Sequence, residues 1–245
     1  GPVTIITLCK NLESALADDP LIEKVFYINQ YHKKLIDIFN LAKVLKSFDF
    51  KNLLVFYPSI RLYLSAKLAG IKNVSIYNIF KKKNLHLVKA AKKLTEDFLQ
   101  INNCPTETNF FIKKDELKKI NKEYINDKFK IVIGAGSSGP TTRWGSKNFS
   151  ELINQLNKSD DYFFFILCGP NEKQIENEII SNLNKHNYIS LSDKNIKELI
   201  PYLCASNMYV GNDSFGSHIT SQSGKKSIIM LLDSPKAYTD YSKNY

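Results

Sequence analysis

Residues 207–233 read Asn-Met-Tyr-Val-Gly-Asn-Asp-Ser-Phe-Gly-Ser-His-Ile-Thr-Ser-Gln-Ser-Gly-Lys-Lys-Ser-Ile-Ile-Met-Leu-Leu-Asp. This stretch predicts a buried strand at Met208–Val210, a polar turn at Gly211–Gly216, a short helix that ends near Gly224, and a second buried strand at Ser227–Leu232. A strand, a tight turn and a helix together aim free backbone N–H groups and the positive end of the helix dipole at one point, which suits a phosphate. Asp213 and His218 flank that point. The same pattern also fits an ordinary connection in which Asp213 only caps the helix.

Strands alternate with helices along the rest of the chain, which predicts an α/β fold with doubly wound parallel sheets. A turn-rich and then polar segment over residues 104–128 separates two such series, so we expect one domain over residues 1–124 and a second over 125–245. Pro201 lies inside a predicted helix at Ile196–Ala205 and predicts a kink or a break there. The predicted strands are Val3–Leu8, Lys24–Ile28, Asn52–Tyr57, Asn73–Tyr77, Lys130–Ile133, Tyr162–Leu167 and Tyr188–Ser190, and further helices are predicted at His32–Lys46, Lys147–Leu156 and Asn171–Leu183.

Composition narrows the class of protein. The 245 residues are 43% hydrophobic and 24% charged, which is typical of a globular protein. The longest apolar run, Tyr162–Cys168, is far shorter than a membrane span, and no signal peptide is visible. The four cysteines are scattered without a CxxC pair, so we expect buried thiols in a reducing compartment and neither disulfides nor a metal site.

The net charge of +10 is concentrated in the first half of the chain. Residues 1–125 hold 21 Lys/Arg against 12 Asp/Glu, whereas residues 126–245 hold 13 against 12. A basic first half favours an anionic partner, such as a phosphorylated glycan, an acidic membrane surface or nucleic acid. A lysine-rich composition explains the same charge without any partner, and no motif that reads nucleic acid is present.

Two further motifs follow predicted strands. Gly134–Gly139 matches GxGxxG, but Pro140 follows it where a dinucleotide fingerprint requires a helix, and no acidic residue stands about 20 positions on. We therefore expect a ligand-lining loop and no nicotinamide or flavin cofactor. Arg143 is one of only two arginines and is suited to bidentate binding of phosphate or carboxylate. Glu172 stands where the helix after Tyr162–Leu167 begins.

These motifs occur in an order that resembles glycosyltransferase family 9, the lipopolysaccharide heptosyltransferases. The family has a glycine loop with a basic-Trp pair, a Gly-x-x-Glu after a strand, and an Asp-Ser/Thr-Gly-x-x-His signature. The corresponding runs here are Gly134-Ala135-Gly136-Ser137 with Arg143-Trp144, Gly169-Pro170-Asn171-Glu172, and Gly211-Asn212-Asp213-Ser214-Phe215-Gly216-Ser217-His218. In the first half, Val3–Leu8, Pro20–Val25 and Arg61–Gly70 resemble the family's acceptor domain.

The resemblance implies a GT-B fold, in which two Rossmann-like domains face a cleft. It also implies a bacterial enzyme of lipopolysaccharide biosynthesis that transfers a heptose or similar sugar from a nucleotide sugar, usually ADP-heptose, to an anionic glycolipid acceptor. The transfer would be inverting and would need no metal or other cofactor. We expect a cytoplasmic protein with peripheral contact at the inner membrane face and no nucleic acid partner. The implied donor-binding residues are Gly136, Ser137, Thr141, Thr142, Arg143, Glu172, Asp213, Ser214, Phe215, Gly216 and His218, and Arg61 is the implied acceptor-binding residue.

Three departures from the family pattern qualify these expectations. Phe215 stands where the family has glycine, and Thr142 stands where it has lysine. The chain resembles the family only from its second strand onward and stops early at Tyr245, so we expect a fragment without the loop that carries the general base. Its catalytic residue is therefore unknown. The alternatives are another GT-B enzyme, either a different nucleotide-sugar transferase or an epimerase, and a non-catalytic module that binds sugar nucleotides or glycans.

Overall fold

A computed structural model describes residues 2–28, 34–78, 86–106, 110–123, 128–159, 161–181, 183, 187–233 and 243–244. The predicted division between residues 124 and 125 falls outside these ranges, so the domain bounds stay a prediction. In the first half the elements are β1 (Val3–Thr7), α1 (Leu12–Leu16), β2 (Ile22–Tyr27), α2 (Ile36–Lys46), β3 (Asn52–Val55), α3 (Ile60–Leu68), β4 (Asn73–Ile76) and α4 (Leu87–Leu99). They form two separate parallel pairs, β1 with β2 and β3 with β4.

The second half contains a five-stranded parallel sheet. Its elements are α5 (Lys114–Glu123), β5 (Phe129–Gly134), α6 (Ser146–Leu156), β6 (Tyr162–Leu167), α7 (Lys173–Ile180), β7 (Tyr188–Ser190), α8 (Ile196–Ala205), β8 (Met208–Asn212), α9 (Phe215–Gln222) and β9 (Lys226–Met230). The strand order is β7-β6-β5-β8-β9, with β5 in the centre. Gly134, the last residue of β5, is opposite Leu167 of β6 and Gly211 of β8, so three strands end side by side.

Apolar residues on both faces of β6 explain why this sheet is covered on both sides. Phe163 and Phe165 pack into one hydrophobic cluster with Tyr209, and Phe164 and Ile166 pack into another with Phe149. Successive side chains of a strand point to opposite faces, so a continuous apolar run requires cover on each. The first-half core is smaller and is centred on Ile28, Leu41, Leu45, Ala66 and Ile71.

The sequence located most elements to within a few residues, and two of its expectations need correction. Of the kink or break predicted at Pro201, the break is absent: α8 begins after a capping box at Asn195 and continues through Pro201. Cys9 is exposed and Cys104 is half-buried, so only Cys168 and Cys204 are the buried thiols expected; all four are free. The predicted helix start at His32 lies outside the described residues, and α2 begins at Ile36.

The two halves touch through α1. Ala15 packs against the cluster that contains Tyr209, and the Asp18 carboxylate lies 2.5 Å from Lys113 Nζ and 3.7 Å from Lys197 Nζ. Lys113 precedes α5 and Lys197 belongs to α8, so an acidic group of the first half meets two basic groups beyond it. Within the described ranges, no helix has both the length and the apolar character needed to cross a membrane.

Candidate functional site

Three loops meet where β6, β5 and β8 end side by side. The loop after β5 runs from Ala135 to Gly145, the loop after β6 runs from Cys168 to Glu172, and Asp213 and Ser214 connect β8 to α9. Ligands of open parallel sheets bind at this edge, where helix N-termini also gather. Most of the candidate residues lie in these three loops, at the carboxyl edge of the sheet.

Glu172 connects the first two loops. Its Oε2 accepts a hydrogen bond from Gly169 N at 2.6 Å, and its Oε1 accepts from Ser137 N at 3.0 Å and from Arg143 Nη2 at 2.6 Å. The sequence placed Glu172 in the first helical turn, but it precedes α7 at the N-cap position and its side chain turns back toward the glycine loop. Only 11% of that side chain is exposed.

The glycine at position 136 leaves room for this carboxylate. A Cβ at Gly136 would lie 2.2 Å from Glu172 Oε2, closer than real Cβ contacts, and 3.1 Å from Gly169 N. Gly139, in contrast, would meet nothing within 4 Å, and its φ of −151° is ordinary extended backbone. Of the two glycines, Gly136 is the one the site requires.

The Arg143 guanidinium is fixed through one of its terminal nitrogens, Nη2. Its Nη2 also donates to Ser137 O at 3.2 Å, while its Nε is buried and has no protein hydrogen-bond partner among the described residues. About 30% of the side chain is exposed. The guanidinium is thus oriented by the loop and by Glu172, and it retains N–H groups for a ligand.

The hydroxyl groups of Ser137 and Thr142, which were predicted to bind the donor, make hydrogen bonds within the loop itself. Thr142 Oγ1 contacts Ser137 Oγ and donates to Gly139 O at 2.9 Å, so both hydroxyls stabilise the single 3-10 turn Pro140–Thr142. Thr141 is exposed. Trp144 packs edge-on against Phe149 at a centroid distance of 4.9 Å, as expected of a residue that anchors the start of a helix.

Two buried residues that the sequence analysis did not assign join the loops to β8. Asn212 is fully buried; its Nδ2 donates to Ala135 O at 2.8 Å and its Oδ1 accepts from Trp144 N at 2.9 Å. Tyr209 is also fully buried, and its hydroxyl donates to Asn212 O at 2.8 Å and lies 3.1 Å from Ser214 Oγ. Burial raises the pKa of Tyr209 far above its usual value. An amide at the end of an apolar strand was the available sequence signal for Asn212, because buried polar groups need partners.

The start of α9 is packed closely against the sheet. A Cβ at Gly216 would lie 2.4 Å from Leu167 Cδ2 and 3.0 Å from Tyr209 Cε2, so glycine lets the helix approach β6 and β8. Ser217 Oγ accepts from Ser214 N at 3.1 Å and fixes the turn into the helix. Phe215 is 38% exposed at the first helical position. The first amides of a helix have no partner within the helix and bear partial positive charge.

Asp213 and His218 form a pair beside this helix start. Asp213 Oδ1 lies 3.4 Å from His218 Nε2, and only 5% of the Asp213 side chain is exposed. Burial lowers the pKa of His218, and the neighbouring Asp213 carboxylate only partly offsets that effect. The imidazole is therefore largely neutral near pH 7 and is suited to hydrogen bonding.

Cys168 also lies at this edge, but its chemistry excludes it as a nucleophile. Burial first, and then the Glu172 and Glu176 carboxylates, raise the pKa of its thiol to about 12. The thiol is therefore protonated near neutral pH, and the thiolate is the reactive form. No group of three or more potential metal ligands occurs among the described residues.

The structure thus brings together two groups of predicted residues. One contains Gly136, Ser137, Thr142, Arg143 and Glu172, and the other contains Asp213, Ser214, Gly216 and His218 at the end of β8, to which Asn212 links the loop after β5. Arg61 lies apart from both, in the first turn of α3 in the first half. Its assignment to an acceptor stays a prediction.

Comparison with known proteins gives one family and one fold. A model of the family described as glycosyltransferase family 9 (heptosyltransferase) matches residues 69–243. The structure of E. coli ADP-heptose lps heptosyltransferase II superimposes with a TM-score of 0.77 at 16% identity, over 99% of this chain and 80% of that one. A family 9 glycosyltransferase from Veillonella parvula gives 0.75 at 15% identity, over 100% and 75% of the two chains.

E. coli heptosyltransferase WaaC with ADP is a further structural match. It gives a TM-score of 0.67 at 12% identity, over 93% of this chain and 76% of that one. At these identities the likeness concerns the fold, and it confirms the predicted α/β architecture of the GT-B type. A search of curated proteins returned no match.

Proposed function

This chain belongs to glycosyltransferase family 9, and from that membership we propose that it transfers a heptose or similar sugar from a nucleotide-sugar donor, most simply ADP-heptose, to an anionic cell-surface glycan lipid. The family makes the chain a glycosyltransferase; the donor, the acceptor and the course of the reaction are the proposal. The observation that supports it best is the Arg143–Glu172 pair, which joins the glycine loop to the loop after β6 at the same sheet edge as the turn that starts α9.

The donor's diphosphate would bind between Arg143 and the start of α9. Arg143 supplies N–H groups fixed by Glu172 and Ser137, and the amides of Phe215 and Gly216 lie at the positive end of the helix dipole. As the sugar departs, negative charge develops on the diphosphate, and fixed donors stabilise that charge more strongly than mobile water does. These groups would stabilise the leaving group without a metal ion, which is the mechanism we propose.

Asp213 and His218 would act on the sugar side of the same site. Asp213 Oδ1 lies 3.4 Å from His218 Nε2, and the Asp213 carboxylate would accept hydrogen bonds from sugar hydroxyls. Glu172 would lie toward the nucleoside. We propose inversion at the transferred carbon, so the product from an α-linked donor would be β-linked and the reverse.

The basic first half supports an anionic acceptor. Its excess of positive charge favours a phosphorylated glycan lipid over a neutral one, and favours peripheral contact with an acidic membrane surface. Arg61 in α3 is the proposed contact for that acceptor.

A thermal-shift panel with ADP, UDP, GDP, CMP and NAD tests the donor site. A nucleotide at about 100 times its dissociation constant stabilises the fold by roughly 2.7 kcal/mol, which is readily seen. We expect selective stabilisation by ADP that is lost in Arg143→Ala and retained in Lys147→Ala, whose exposed side chain lies four residues along. Stabilisation by UDP or GDP instead would indicate a UDP- or GDP-linked sugar as the donor. Stabilisation that survives Arg143→Ala would contradict the site.

A further inference from the structure

The side chain of Asn212 joins the two groups of donor-site residues. Its Nδ2 donates to Ala135 O at 2.8 Å, at the start of the loop after β5, and its Oδ1 accepts from Trp144 N at 2.9 Å, near the end of that loop. Asn212 is also the last residue of β8, so its backbone leads directly into Asp213 and the turn before α9. One side chain therefore connects both ends of the loop to the end of β8.

The two bonds together require an amide at this position. The carbonyl of Ala135 needs a donor and the N–H of Trp144 needs an acceptor, and an amide side chain supplies one of each. Asn212 and Ala135 are both buried, so bulk water cannot replace the bond between them. An ionised carboxylate of the same shape could only accept, and it would place a buried negative charge against the Ala135 oxygen.

The bond to Trp144 N acts on Arg143. The N–H that Asn212 accepts belongs to the peptide unit that joins Arg143 to Trp144, so the Arg143 backbone is fixed on that side. At the other end of the residue, Ser137 O and Glu172 Oε1 hold the guanidinium at Nη2. The direction of the Arg143 side chain is thus set before a ligand binds, and donors that are already ordered lose less freedom on binding.

The peptide unit on the other side of Asn212 is fixed as well. The Tyr209 hydroxyl donates at 2.8 Å to Asn212 O, the carbonyl of the peptide that leads into Asp213. Tyr209 is fully buried, and a Cβ at Gly134 or Gly211 would overlap its hydroxyl oxygen, so the ring fills a space that these glycines leave. The turn before α9 is therefore held through the same residue that holds the loop after β5.

We propose that Asn212 is a positioning residue of the donor site, and that its amide sets the spacing between the Arg143 guanidinium and the start of α9. A diphosphate that binds to both groups needs them at one separation, so the two hydrogen bonds of the amide contribute to nucleotide affinity as well as to folding. The inference rests on the proposed function, because it concerns the proposed diphosphate site. Asn212 acts through Arg143 and the turn, and not on the ligand itself.

Asn212→Asp tests this role, because the hydrogen bonding of the substituted side chain changes with pH. Burial favours the neutral acid, which at low pH can donate to Ala135 O and accept from Trp144 N as the amide does. The ionised form at higher pH cannot donate, and it repels the Ala135 oxygen. Isothermal titration calorimetry with ADP at about pH 5.5 and about pH 8 measures the dissociation constant in the two forms, and Trp144 fluorescence checks that the variant is folded at each pH.

We expect the dissociation constant of Asn212→Asp for ADP to exceed that of the parent about tenfold or more at the higher pH, and to approach that of the parent at the lower pH. Asn207→Asp is the matched control. It makes the same substitution at an exposed asparagine that accepts from Lys130 N at the opposite end of β8, so its dissociation constant should stay near that of the parent at both pH values.

The ratio of each variant to the parent separates position 212 from the rest of the site. ADP itself titrates in this range, and it does so equally for all three proteins. The same holds for the charged or ionisable groups near this sheet edge, which are Arg143, Cys168, Glu172, Glu176, Asp213 and His218. A ratio for Asn212→Asp that does not change with pH would overturn the positioning role and leave the donor site standing. A parent chain that binds no ADP would overturn the donor site and this role with it.

Hydrogen–deuterium exchange on the unmodified protein decides if Asn212→Asp does not fold. Because Asn212 Oδ1 already accepts from Trp144 N, we expect the Trp144 amide to be protected about as strongly without ADP as with it. Protection of this amide that appears only with ADP would show that the nucleotide, and not Asn212, orders the loop, and would overturn the proposal.

Discussion

At the scale of single residues, the glycine loop and Glu172 depend on each other's shape. The Glu172 carboxylate occupies the space next to Gly136 that a side chain would otherwise fill. A GxGxxG pattern by itself suggests a dinucleotide-binding site. Here the glycine that the structure requires, Gly136, makes room for a carboxylate of the same protein.

Gly136→Ala is expected to destabilise the fold. The added methyl group would lie 2.2 Å from Glu172 Oε2, so the carboxylate has to move and its hydrogen bonds to the loop lengthen or break. Overpacking of this kind costs about 1–3 kcal/mol. Urea unfolding followed by the fluorescence of Trp144, the only tryptophan, measures it. Gly139→Ala is the matched control and is expected to change the free energy of unfolding by less than about 0.5 kcal/mol. Equal effects of the two substitutions would contradict the role of Gly136.

His218 is expected to make stability depend on pH. Burial lowers its pKa in the folded protein below the ordinary value of 6.5, so the unfolded chain binds a proton at higher pH than the folded one does. At a pH above its folded-state pKa, His218 is neutral, and the neutral imidazole is the form that burial favours. Stability therefore falls as the pH is lowered through about 6.5 and the loss from this residue levels off below the folded pKa.

The measurement is the free energy of unfolding in urea between about pH 8 and pH 5 for the protein and for His218→Gln. The difference between the two curves isolates His218 from the carboxylates and from the other histidines. We expect His218→Gln to show a shallower decline on acidification. A steeper decline would mean that Asp213 raises the pKa of His218 more than burial lowers it.

At the scale of secondary structure elements, the sequence predicted most where one physical signal dominates. The continuous apolar run of β6 and the apolar helix at Ile196–Ala205 were located with the bounds that the structure has. The candidate residues at the ends of β5, β6 and β8 also came together as parallel strands require. Periodicity and strand-end position are local signals, so a single sequence contains them.

The contacts between loops could not be predicted in the same way. Glu172 was assigned to a helical turn because its position in sequence fits one, yet its partners are Ser137 and Arg143 in another loop. Asn212 was passed over because its two partners are distant in sequence.

Glu172→Ala is expected to loosen the connection between the loops after β5 and β6. The substitution leaves Gly169 N and Ser137 N without the carboxylate that accepts from them and leaves Arg143 Nη2 with Ser137 O alone, and the loss of hydrogen bonds to a largely buried charged group costs about 2–3 kcal/mol. Glu151→Ala is the control: it removes an exposed carboxylate 4.0 Å from Lys147 and is expected to cost less than about 1 kcal/mol.

Combining the two loop substitutions tests whether Gly136→Ala destabilises the fold by displacing the Glu172 carboxylate. In a Glu172→Ala background, Gly136→Ala has no carboxylate to displace, so its effect on unfolding should shrink markedly. Additive effects in the double variant would show that the methyl group acts through other contacts, such as Gly169 N, and not through Glu172.

At the scale of the whole molecule, Asp18 makes polar contacts between the two halves. Its carboxylate meets Lys113 and Lys197, which hold the pKa of Asp18 below its usual value, chiefly through the Lys113 hydrogen bond. Ala15, on the same helix, packs against the second-half core. The contact is thus a small apolar patch bordered by exposed charge, an arrangement that permits relative motion of the halves.

Asp18→Lys is expected to uncouple the unfolding of the two halves. The substitution replaces an attraction by a repulsion among three cations at the only acidic group that both Lys113 and Lys197 are seen to contact in the described residues. Trp144 fluorescence reports on the second half alone, whereas far-UV circular dichroism reports on helices of both. We expect the urea transitions recorded by fluorescence and by circular dichroism to separate in Asp18→Lys and to coincide more closely in the parent chain. Asp193→Lys makes the same change in charge at an exposed pair with Lys173 within the second half, so its two probes should stay as close as those of the parent. If both variants separate the probes equally, added charge alone is responsible, and the α1 contact does not couple the halves.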